Sequence, residues 1–200
     1  MAKASWINVS PSSGSGNATV NVSSVSPHTG RLARTTVLTW KAANVTNVER
    51  TVSQAGKPEY VDIEDALAVD KIGRNATITG VSNSAVLTFS LGEGDLEITL
   101  PEVYTANSIS TSNGVAISGD PGASAAYNFS IAVKVPINTD TKAKTRQLIV
   151  TNEAGDSDIC LITSAAGDAY VTVQSGIIEL DHLGTAVPWT VQSNTSWTIE

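Results

Sequence analysis

Asn128-Phe129-Ser130-Ile131-Ala132-Val133-Lys134-Val135 alternates apolar and polar side chains along its length. A period of two puts alternate side chains on opposite faces, so the stretch predicts a half-buried β-strand. Asn17-Ala18-Thr19-Val20-Asn21-Val22 repeats it 111 positions earlier. Ala55-Gly56 and Ala166-Gly167, Gly73 and Gly184, and Ser82-Asn83-Ser84 and Ser193-Asn194-Thr195 match at the same spacing. Tyr60-Val61 and Tyr170-Val171 match at 110, and Arg34 and Arg146 at 112. Matches that keep their order at a near-constant spacing identify an internal repeat.

The repeat divides the chain. Residues 59–169 form one whole unit, residues 1–58 the back part of another, and residues 170–200 the front part of a third. The whole unit is longer than the two parts together, with the excess around residues 90–111. That stretch carries Leu96, Ile98, Leu100, Pro101 and Tyr104 with four acids and no base. It reads as an elaborated hairpin or as an arm that docks a partner. Short strands separated by turns such as Pro11–Gly16 and Gly119–Gly122 predict an all-β chain. The expected architecture is tandem immunoglobulin-like β-sandwiches, one complete and one split between the chain ends. Residues 62–70 are expected as strand or loop.

The chain has 200 residues, 41% hydrophobic and 16% charged, which is a globular composition. No apolar run is long enough for a membrane span. Its net charge of −7 argues against a nucleic-acid partner. Residues 1–58 carry six basic side chains and Glu49, a net of +5, whereas residues 170–200 carry Glu179, Asp181 and Glu200 and no base. Opposite charge at the two ends reads either as a device that steers association or as a solvated surface of uneven composition. Cys160, flanked by Ile159, Leu161 and Ile162, reads as a buried, inert thiol.

No catalytic constellation and no metal spacing stand out, and no cofactor is expected. His28 and His182 are isolated, and the acids at 62–65 and 156–158 lack a defined cation loop. All four tryptophans lie in the end segments. Trp6, Trp189 and Trp197 align with Ile117, Ile78 and Val86, which predicts core positions. Trp40 aligns with Asn152, and Trp40 and Tyr104 are the candidates for exposed contacts.

Ser193-Asn194-Thr195-Ser196-Trp197, Trp6, Pro11 to Gly14, Arg34 and Val52-Ser53-Gln54-Ala55-Gly56 resemble the successive motifs of the BACON family of immunoglobulin-like domains. The middle unit keeps Ser82-Asn83, Arg146 and Ala166-Gly167, with Val86 and Ile117 at the two Trp positions. The resemblance implies a β-sandwich used for spacing or presentation, found in Bacteroidetes surface proteins and in virion proteins of crAss-like gut bacteriophages.

Three arrangements could complete the ends: folding back within the chain, donation of residues 170–200 to residues 1–58 of a neighbour, or continuation in a longer array. The junctions near 57–59 and 167–169 are about three residues each and reach about 11 Å, which disfavours folding back. Donation is head-to-tail, building a ring or a filament. Its interface would hold Trp6, Trp189, Val191, Trp197 and Ile199. The start Met-Ala-Lys-Ala-Ser-Trp carries no basic-then-apolar leader. The expectation is a non-enzymatic structural protein of a bacteriophage virion: a capsid decoration, fibre or tail subunit. Its partners would be copies of itself and virion proteins such as a major capsid protein. The alternative is a carbohydrate- or cell-surface-binding module at a bacterial surface.

Overall fold

The computed structural model describes residues 3–200; Met1 and Ala2, which open the expected first segment, lie outside the described residues. The chain is all-β. Its strands are β1 (Ile7–Ser10), β2 (Asn21–Ser24), β3 (Arg34–Trp40), β4 (Val48–Gln54), β5 (Val61–Ile63), β6 (Ala66–Val69), β7 (Arg74–Ser82) and β8 (Leu87–Gly94). They continue with β9 (Val103–Ala106), β10 (Ile109–Ser112), β11 (Tyr127–Val135), β12 (Lys144–Asn152), β13 (Ser157–Ser164), β14 (Val171–Val173) and β15 (Val191–Ser193). A 3-10 turn at Pro121–Ala123 interrupts them.

Strands β5 to β13 make two sheets over one core. One has the order β10-β9-β11-β7-β5 and the other β6-β13-β12-β8. Strand β11 shows why: Tyr127, Phe129, Ile131, Val133 and Val135 alternate inward and are all buried. They meet Ile78 of β7, Phe89 of β8, Leu148 and Val150 of β12, and Cys160 and Ile162 of β13 in one apolar cluster. Each such side chain, fully buried, stabilises the fold by about 1.5–3 kcal/mol. The chain crosses between sheets at Glu64-Asp65. There Asp158 accepts the Ile63 N–H at 2.9 Å, tying the crossing to β13.

The register corrects three sequence expectations. Thr99 pairs with Lys134 as Asn8 pairs with Ser23, and Ser23 and Lys134 are repeat equivalents. Ile98 to Leu100 is therefore the counterpart of β1, and the extra residues lie later, between Leu100 and Asn128. They form the β9–β10 hairpin, which lengthens the five-stranded sheet, and the turn after it. Trp6 accordingly falls at the place of Glu97, not Ile117, and it is Ile7 that is buried. Third, β3–β4 reproduces β12–β13 row for row. Arg34 opposes Gln54 as Lys144 opposes Ser164, and Trp40 opposes Val48 as Val150 opposes Asp158. Trp40 is thus the counterpart of Val150 and not of Asn152, and Arg34 of Lys144 and not of Arg146. Equal hairpin lengths set this register, whereas Arg146 is occupied elsewhere, donating to the carbonyls of Leu96 at 2.7 Å and Gly92 at 3.1 Å.

Outside this sandwich the strands pair only locally. Strands β1–β2, β3–β4 and β14–β15 are three separate two-stranded sheets. None of β1 to β4 pairs with β14 or β15.

Candidate functional site

The segments at either end meet the sandwich through one repeated hydrogen-bond set. At the first junction the buried Asn83 amide points its nitrogen at the carbonyls of Thr29, Lys57 and Pro58, 3.2–3.3 Å away, and its oxygen accepts the Tyr60 N–H at 3.0 Å. A side-chain amide suits this place because it offers donors and an acceptor at once. Ser82 Oγ donates to the Tyr60 carbonyl and accepts the Ser84 N–H. At the second junction Asn194 reaches the carbonyls of Thr139 at 3.0 Å and Asp168 at 2.9 Å and accepts the Tyr170 N–H at 3.0 Å. Ser193 Oγ donates to the Tyr170 carbonyl and accepts the Thr195 N–H, as Ser82 does. The loops facing these asparagines also match. Asn138 Nδ2 donates to the Lys142 carbonyl at 2.9 Å, and His28 Nε2 lies 2.8 Å from the equivalent Leu32 carbonyl.

The first junction has a clamp that the second lacks. Arg31 makes a bidentate pair with Asp120, both bonds 2.6 Å, and lies 3.4 Å from Glu59. The Arg31 and Leu32 N–H groups donate to the carbonyls of Gly122 and Ala123. Gly30 passes so near this turn that a Cβ there would sit 2.3 Å from the Ser124 backbone. The Arg31 hydrogen bonds hold the Asp120 carboxyl below the usual carboxylate range. Asp120 to Ala123 lie in the stretch between Leu100 and Asn128, so the sandwich's longer connection fastens residues 3–58 to it. At the second junction Thr141 and Ala169 stand where Arg31 and Glu59 stand at the first.

Both end segments expose apolar side chains whose counterparts are buried in the sandwich. Val173 is 56% exposed where Ile63 is 3%, and Leu180 is 64% where Val69 is 5%. Trp40 is 41% exposed where Val150 is fully buried. Val22 is exposed where Val133 is buried. Of the expected contact residues, Trp197 and Ile199 are exposed, and Trp189 is half-buried, its indole N–H donating to the Gln174 carbonyl at 2.9 Å. Val191 opposes Val173 in β14–β15. Trp6 is half-buried against the Arg34 guanidinium, 4.6 Å from ring centre to carbon. The two groups sit at opposite ends of the sequence and share no sheet. Tyr104 is not a surface contact: it is 3% exposed, its ring edge-on to Phe89 at 5.7 Å.

Sequence reasoning missed the roles of Asn83 and Asn194, although their shared Ser-Asn-Ser/Thr setting marked the repeat. It also missed the Arg31–Asp120 pair, which joins residues 89 positions apart. Among the described residues no group of three or more His, Cys, Asp or Glu is placed to hold a metal ion. No helix among them is long and apolar enough to cross a membrane.

No family model and no curated protein matches the chain. Among solved structures it is similar to the endo-fucoidan hydrolase MfFcnA9 from glycoside hydrolase family 107, at 11% identity and a TM-score of 0.33, over 83% of this chain and 27% of that one. It is similar in the same way to the endo-fucoidan hydrolase MfFcnA4 of that family, at 10% identity and a TM-score of 0.34, over 82% of this chain and 22% of that one. The chain thus spans about a quarter of the length of these proteins. A likeness this slight carries no argument about function.

Proposed function

We propose that the protein is a non-enzymatic assembly subunit joined head to tail, residues 170–200 of one copy completing residues 1–58 of the next. The observation that carries this reading is the correspondence of exposed and buried positions: Val173, Leu180, Trp40 and Val22 each stand where the sandwich has a buried side chain. The end segments supply complementary strands, β14 and β15 answering β5 and β7, and β2 to β4 answering β11 to β13. Their opposite charges favour the encounter. The resemblance to BACON-like domains of virion proteins supports a bacteriophage particle as the setting of such an array, with the protein a capsid decoration, fibre or tail subunit beside a major capsid protein. Mass spectrometry of purified particles tests that setting; finding the protein only in host-cell membranes or in the medium refutes it.

Trp40 gives the alternative reading its footing. It is exposed in a groove of mixed lining, with Val9 and Val37 beside Lys3, Ser12, Ser13 and Thr39, and an exposed indole flanked by polar groups can stack a sugar ring. Trp40→Ala separates the two. Loss of glycan binding with assembly intact supports a carbohydrate- or cell-surface-binding module, and loss of assembly without any glycan binding supports a core position.

A further inference from the structure

We infer that the second copy docks in one defined register, with Ala18, Val20 and Val22 of one chain opposite Val191, Trp189 and Val187 of the next. This rests on the head-to-tail reading above and specifies its interface. The template is the pairing of β11 with β7, where Phe129 opposes Gly80, Ile131 opposes Ile78 and Val133 opposes Ala76. The repeat carries Phe129, Ile131 and Val133 onto Ala18, Val20 and Val22, and Gly80, Ile78 and Ala76 onto Val191, Trp189 and Val187. Both edges are open. Strand β2 is paired on one side only, with β1, and β15 on one side only, with β14.

Side-chain size supports the match in two of its three rows. Gly80 must be small because a Cβ there would lie 2.4 Å from the Phe129 ring. At the chain ends the large and small partners exchange sides: Val191 replaces the glycine and Ala18 the phenylalanine. In the next row Trp189 has grown from Ile78 while Val20 has shrunk from Ile131. A close-packed interior tolerates exchanges that conserve volume across a contact and resists those that do not. The parallel pairing of β13 with β6 adds a second contact in the other sheet. Ile162 opposes Leu67 and Ser164 opposes Val69, which places Val52 opposite Ile178 and Gln54 opposite Leu180. Ile178 and Leu180 are both exposed.

Cysteine cross-linking reads the register directly, because Cys160 is buried and the only cysteine present. The full chain carrying Val22→Cys and Val187→Cys should form disulfide-linked dimers and higher ladders on mild oxidation. The slipped pair Asn21→Cys with Val187→Cys should not, since a one-residue shift turns the side chain to the other face. In parallel, Ala18→Phe should weaken assembly about tenfold or more, and adding Val191→Gly should restore it. Assembly of the wild-type chain with no Val22–Val187 ladder, or with efficient cross-linking of the slipped pair, overturns the register and leaves head-to-tail joining intact. A wild-type chain that stays monomeric at every concentration overturns both. A disulfide formed within one chain overturns both as well, because it shows the ends meeting in cis.

Discussion

Replacing Asn83 by alanine should loosen residues 3–58 from the sandwich. The amide is fully buried. Its nitrogen faces three carbonyls at 3.2–3.3 Å and its oxygen takes the Tyr60 N–H at 3.0 Å. Two N–H donors and one acceptor are lost, worth about 1 kcal/mol each, and the Tyr60 N–H is left without its partner, so the expected cost is about 2–4 kcal/mol. That is a large part of a typical domain's stability. Urea titration followed by two signals is the assay. All four tryptophans lie outside residues 59–169, so their fluorescence reports the end segments, while far-ultraviolet circular dichroism is dominated by the nine-stranded sandwich. The fluorescence transition of Asn83→Ala should move to lower urea and separate from the dichroism transition. Asn83→Asp should be at least as damaging at neutral pH, because it removes both donors and sets a charge against the same carbonyls. A shift below about 0.5 kcal/mol in both signals refutes the reasoning, since it would mean the junction does not depend on this amide.

Other perturbations have defined outcomes. Arg31 holds the Asp120 carboxyl below its usual range, so the folded-state value is the lower one. The stabilisation is therefore present above about pH 4 and is lost as pH falls through the folded value, worth at most about 1 kcal/mol after solvent screening. Arg31→Ala should remove both that stabilisation and its acid dependence, measured by urea titration across pH. Tyr127 is buried and donates to the Ser84 carbonyl at 2.9 Å; burial raises its phenol well above the ordinary value. Tyr127→Phe should cost about 1–2 kcal/mol, and the stability this phenol contributes should be lost only as pH rises above about 10, the phenol ionising as the protein unfolds, seen by ultraviolet absorbance. Burial pushes the Cys160 thiol up to about 11, so a thiol reagent at neutral pH should label it only in denaturant.

The strands and the repeat were legible from alternation and spacing, because both are local properties of the chain. Phe129, Ile131 and Val133 announced a buried face, and the structure puts it at the centre of the core. What misled was position along the repeat. The run Leu96-Glu97-Ile98 looked additional because it is followed by extra sequence, yet Thr99 pairs in the place that Asn8 holds at β1. Arg34 and Arg146 looked equivalent by residue type, whereas cross-strand register follows hairpin length. Tyr104, an aromatic amid acids, looked like a surface contact; its neighbours in sequence point outward, but alternation turns it onto Phe89. The clamp of Arg31 on Asp120 could not be read at all, since it depends on how two distant loops meet once the sheets have closed.

Head-to-tail joining is tested most directly by the mass of the full chain in solution, measured by light scattering over a concentration series with and without residues 170–200. The intact chain should give species at multiples of 20.7 kDa that grow with concentration, and the truncated chain should remain a single subunit. A monodisperse 20.7 kDa species at all concentrations, unchanged in state of association by the truncation, would contradict it.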